Sequence, residues 1–108
     1  MKLTFADGGT LEIDGMRRGK MIYAGMQRET VRIFFPRSSL SLDELYERFA
    51  HCATMAVTDE EHTEILSDYS LRVSMTIESD GDERVMVRMA QMTPIEKQLQ
   101  TLIEEAKA

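Results

Sequence analysis

Leu3 and Phe5 alternate with Lys2 and Thr4, and Leu11 and Ile13 alternate with Glu12 and Asp14. The chain therefore opens on two half-buried strands joined through Asp7-Gly8-Gly9. A two-residue loop at Asp7-Gly8 pairs Leu3 with Glu12 and Thr4 with Leu11, mixing the faces. A three-residue loop pairs Phe5 with Leu11, Leu3 with Ile13 and Lys2 with Asp14, and gives Gly9 the left-handed bulge position. The spacing predicts the second arrangement. Near the other end, Leu71, Val73, Met75 and Ile77 share one face. A loop at Asp80-Gly81-Asp82 sets Ile77 opposite Val85, Met75 opposite Val87 and Val73 opposite Met89, with Glu78 meeting Arg84. Asp82 then has to adopt the left-handed conformation.

Between the hairpins, Met21-Ile22-Tyr23-Ala24 and Thr30 to Phe35 read as two further strands, the second stopped by Pro36. Ser41-Leu42-Asp43-Glu44 is a capping box that opens a helix to about His51, with Leu42, Leu45, Tyr46 and Phe49 inward. Met55 to Thr58 reads as a short strand, Asp59 to Thr63 as an acidic turn, and Glu64-Ile65-Leu66 as the start of another strand. The predicted class is α+β: antiparallel hairpins forming a sheet, one central helix and one terminal helix, in a single domain over 1–108.

The terminal helix, 94–107, carries the clearest pattern. Thr93 is placed to cap it, Pro94 occupies the first turn, and Glu96 completes a second capping box. Ile95, Leu99, Leu102, Ile103 and Ala106 then form one apolar stripe, and Ile95, Leu99, Leu102 and Ala106 fit the d and a positions of two heptads. Two heptads are too few for a free-standing coiled coil. The stripe must be covered, either by the helix's own sheet, the preferred reading, or by another chain. Ile95, Leu99, Leu102 and Ile103 are the expected partner-binding residues.

Composition narrows the functional class. A chain of 108 residues with 43% hydrophobic and 30% charged content matches a globular protein. Its net charge of −6 argues against nucleic acid or an anionic membrane as the main partner. Residues 1–37 hold seven Lys/Arg against four Asp/Glu, and residues 38–108 six against fifteen. Either folding mixes the two halves, the favoured reading, or opposed faces promote head-to-tail association. With Cys52 alone, no intramolecular disulfide forms. No apolar run suggests a signal peptide or a membrane span, so the expected location is the cytoplasm or a virion.

Candidate chemistry is thin. His51 and Cys52 are adjacent, which rarely lets both reach one metal, and no CxxC or HExxH spacing occurs. A half-buried helix end is the expected place for that pair. Cys52 lacks a base and an orienting group. Arg17-Arg18-Gly19-Lys20 reads as a solvated loop, since no helix N-terminus follows to complete a phosphate site. The nine methionines read chiefly as core filler. No metal, cofactor or catalytic residue is expected.

Lys2-Leu3-Thr4-Phe5-Ala6-Asp7-Gly8, Ser41-Leu42-Asp43-Glu44-Leu45, Asp68-Tyr69-Ser70-Leu71-Arg72-Val73-Ser74 and Val87-Arg88-Met89-Ala90-Gln91-Met92-Thr93 together resemble small prophage proteins of Gram-positive bacteria, encoded among tail and lysis genes. The resemblance implies a terminal helix and a tail-assembly or virion-associated role, and brings no catalytic residues with it. The expected function is a non-enzymatic structural or assembly protein that acts through protein–protein contacts or self-association. A small cytosolic adaptor binding one host protein is the alternative. An enzyme reading, a hydrolase built on His62 and nearby carboxylates, requires a cleft that gathers them.

Overall fold

The computed structural model describes residues 1–37, 41–50, 53–73, 76–81 and 83–107, the side chains of Asp80 and Lys107 excepted. It is mixed α+β. Strands β1 (Lys2–Phe5), β2 (Thr10–Glu12), β3 (Gly15–Tyr23) and β4 (Met26–Pro36) precede helix α1 (Leu42–Ala50). Strands β5 (Thr54–Thr58), β6 (Thr63–Ser67), β7 (Thr76–Asp80) and β8 (Arg84–Ala90) follow, then helix α2 (Pro94–Lys107). They build two antiparallel four-stranded sheets, β2-β1-β5-β6 and β3-β4-β8-β7. The first and last hairpins, whose sharing of one sheet the sequence pattern left open, belong to different ones.

The two sheets share a core. Leu3, Phe5, Met55, Val57 and Leu66 from the first sheet cluster with Val31, Ile33, Phe35, Val85, Val87 and Met89 from the second. Strand alternation places these residues on the inner faces, where apolar burial drives the packing. Phe49 of α1 stands between the sheets, edge-on to Phe5 at 5.2 Å and to Phe35 at 5.7 Å. Leu45 and Phe49 are buried as expected, but Leu42 and Tyr46 are exposed, so α1 turns a narrower face inward than its sequence suggested. Ser41 Oγ accepts from the Glu44 amide at 3.2 Å, which caps the helix.

The first hairpin has a three-residue loop, one residue earlier than expected. Lys2 pairs with Glu12, Leu3 with Leu11 and Thr4 with Thr10. The turn closes by Phe5 N–H donating to Gly9 O at 2.8 Å and Gly8 N–H to Phe5 O at 2.9 Å. Asp7 Oδ1 accepts from the Gly9 amide at 2.8 Å, and Gly8, at φ 91°, takes the left-handed position assigned to Gly9. A two-residue change of partner keeps the faces intact, so alternation alone did not separate the two registers.

The last hairpin is displaced by the same two residues of partner in the opposite sense, its loop one residue later than expected. Ile77 pairs with Val87 and Asp80 with Arg84, and Gly81 adopts φ 76°. Glu78 accordingly reaches Arg88, at 3.0 Å, instead of Arg84. Residues 71–73 form a turn instead of a strand. The pairing expected of Met75, the conformation of Asp82 and the placement of His51 and Cys52 lie outside the described residues.

Between them, β3 and β4 form a nine-rung ladder closed by Ala24-Gly25, both at positive φ. Arg17 to Lys20, expected in a loop, lie within β3. The ion pairs Arg18–Glu64 and Arg28–Glu96 join the basic N-terminal stretch to the acidic remainder, so folding interleaves the two.

Candidate functional site

The C-terminal helix is held to the body by its polar side. Glu96 Oε1 accepts from the Thr93 amide at 2.9 Å, and Thr93 Oγ1 accepts from the Glu96 amide at 3.3 Å, completing the expected capping box. The same carboxylate pairs with Arg28 of β4, whose side chain is almost wholly buried. Arg28 also lies over the Tyr23 ring, 5.2 Å from its centroid. Burial raises the pKa of Glu96, but the Thr93 amide and the Arg28 guanidinium together outweigh it and hold the carboxyl below its ordinary value.

At the next residue, Lys97 Nζ meets Asp68 Oδ2 at 2.8 Å. Asp68 sits at φ 71°, in the link from β6 to Tyr69, and its carbonyl accepts from the Met92 amide at 2.7 Å. Gln100 then enters the interior at 3% exposure. Its Nε2 donates to Ala50 O and to Glu104 Oε1, both at 2.9 Å. The Ser70 hydroxyl lies 2.6 Å from Ala50 O and 3.0 Å from Gln100 Oε1, and its single proton serves one of them at a time. This network ties the middle of α2 to the end of α1.

Docking through Glu96 and Gln100 leaves the apolar stripe outside. Ile95 is 78% exposed, Leu99 48% and Leu102 62%, while Ile103, on the flank nearer the body, is half-buried. At 3.6 residues per turn, the stripe is centred about a quarter turn from the docking face. The preferred reading, in which the stripe covers its own sheet, is therefore corrected: α2 docks on its own body, but by Glu96, Lys97 and Gln100. Of the four residues expected to bind a partner, Ile95, Leu99 and Leu102 form one exposed ridge and Ile103 borders it.

Sequence reasoning missed Arg28, Glu96 and Gln100 as the anchors. The available signal was spacing: Glu96, Gln100 and Ile103 recur at i, i+4 and i+7, a second helical face beside the apolar one. In the sequence pattern Glu96 reads only as part of the cap, and an uncharged Gln100 reads as surface.

Other candidate residues are dispersed. The His62 side chain is 71% exposed at the β5–β6 turn, with Nδ1 3.5 Å from Asp59 Oδ1. The Glu61 and His62 amides hold the Asp59 carboxyl below its usual value, an Asx turn rather than a cleft. Among the described residues, no histidine lines the cavity of about 500 Å³ beside Phe5, Asp7, Glu47, Arg48 and Glu104. Among the described residues, no three His, Cys, Asp or Glu side chains are grouped to hold a metal ion, and no helix is long and apolar enough to cross a membrane. Comparison with family models, curated proteins and solved structures found no match.

Proposed function

We propose that this chain is a non-enzymatic assembly protein whose contact surface is the exposed Ile95–Leu99–Leu102 ridge of α2. Self-association, with the ridge of one copy against that of another, is the arrangement the heptad spacing suits. The observation that carries the reading is the exposure of three large apolar side chains on a helix whose other face is already anchored. A free two-heptad helix must be ordered before it binds. Here the capping box, the Arg28 pair and the Gln100 network hold it, so little ordering entropy opposes association. A phage tail or virion setting follows from the resemblance of the chain to prophage proteins.

A 14-residue helix is about 21 Å long, and one such ridge is short of the ~1,200 Å² that stable interfaces bury. The reading therefore expects weak pairwise affinity, made useful by many copies in one assembly. Removing α2 outright is a poor test, because it uncovers Arg28 and Ser70. Substituting Ile95→Ser, Leu99→Ser and Leu102→Ser leaves those anchors in place. Sedimentation equilibrium of that variant should give a monomer with an unchanged circular dichroism spectrum. Association equal to that of the parent protein would overturn the assignment of the ridge.

A further inference from the structure

The outer face of the second sheet carries three arginines in register. Arg17 of β3 lies directly opposite Arg32 of β4, and Arg32 directly opposite Arg88 of β8. Residues in such register project from the same face of a sheet, and like charges so placed repel. Relief is partial. Arg88 Nη2 reaches Glu78 at 3.0 Å, whereas Arg17 and Arg32 are exposed and meet no carboxylate among the described residues.

The row borders a concavity of about 370 Å³ lined by Asp14, Arg17, Arg32, Phe34, Arg84 and Met86. The Arg84 guanidinium lies over the Phe34 ring, 5.0 Å from its centroid, adding a fourth cation beside an apolar floor. Arg17 stands between Gly15 and Gly19, the neighbouring outward positions of β3. A side chain on Gly15 would meet nothing within 4 Å, so the backbone there is open to an approaching chain.

We propose that this face docks an acidic, carboxylate-bearing segment of a protein partner, with Arg17 and Arg32 as the principal contacts. The surface is separate from the α2 ridge and its assignment does not depend on that one. Charge complementarity sets the occupant: guanidinium groups present paired donors that match a carboxylate bidentately, and among the described residues no carboxylate pairs with Arg17 or Arg32. A long nucleic acid is disfavoured by the net charge of −6, whose repulsion grows with each phosphate added. A short acidic segment sits within a Debye length of the arginines and is governed by them. Phe34 and Met86 give its aliphatic portions an apolar floor.

The test is fluorescence anisotropy with a labelled polyglutamate peptide and, in parallel, a labelled single-stranded oligonucleotide. The peptide should bind the full chain at low salt and release as salt rises. Arg17→Gln and Arg32→Gln should each weaken binding about five- to tenfold. Lys20→Gln, on the opposite side of β3, should leave it unchanged. The thermal midpoint of the Arg17→Gln/Arg32→Gln variant should hold or rise, because a repulsion is removed. Absent peptide binding, binding indifferent to both arginines, a lowered midpoint, or tighter arginine-dependent binding of the oligonucleotide would each overturn the proposal.

Discussion

Arg28 and Glu96 form an ion pair beneath the first turn of α2, with side-chain exposures of 5% and 21%. Glu96 serves two structures at once, closing the helix cap on Thr93 and neutralising a buried guanidinium from β4. That double duty turns a polar helix face into the docking face and leaves the apolar ridge free.

Breaking this pair from one side should be costly. Glu96→Gln strands the Arg28 charge in the interior and should lower unfolding stability by about 2–3 kcal/mol, with part of the full penalty relieved by the partial exposure of Glu96. Replacing both residues by methionine should cost less than the single substitution, because no charge is then left unpaired. Chemical denaturation of the single and double variants measures the difference.

The pair also sets a pH dependence. Glu96 titrates below its ordinary value of 4.5 in the folded protein. Its contribution is complete above that value and is lost as pH falls through the lower folded pKa. The stability gap between the parent protein and Glu96→Gln should therefore stay constant from neutral pH down to about 5 and close in stronger acid. A gap that widened in acid would contradict this assignment of charge.

Gln100 predicts differently, because no net charge is involved. Gln100→Ala removes a donor to Ala50 O and a partner of Ser70, and should destabilise the protein by about 1–3 kcal/mol. Amide exchange along α2 should accelerate in that variant before the exchange of β4 or β8 changes.

Turn chemistry offers a stabilising change. Ala24 holds φ 51° before Gly25 at φ 78° in the β3–β4 turn, a position that favours glycine or asparagine. Ala24→Gly should raise stability by up to about 1 kcal/mol, whereas Gly8→Ala, at φ 91°, should lower it by about 1 kcal/mol or more. Thermal melts of the two variants should shift in opposite directions.

The fold was legible in the sequence where periodicity or capping determines structure. The Ser41 helix cap, the Thr93–Glu96 capping box, the β5 and β6 strands and the shared faces of Leu3 with Phe5 and of Val85 with Val87 correspond to the observed elements. Register was not, because moving the partner by two residues preserves the faces; Asp7 and the left-handed Gly8 decide it. The division into two sheets was not legible either; the Asp14 amide donating to Phe34 O and the bridge between Tyr69 and Gln91 link them. Those contacts are tertiary and leave no periodic signal. At the candidate site, the ridge residues were visible as a stripe, but its orientation was decided by Arg28, 67 residues upstream of Ile95.

Self-association through the exposed ridge of α2 is the proposal on which the function rests. The most direct test is absolute mass by light scattering after size exclusion, over about a hundredfold range of protein concentration. If copies join through the ridge, the mass should rise above the monomer value of 12.4 kDa as concentration increases. A mass fixed at 12.4 kDa across the whole range would contradict it.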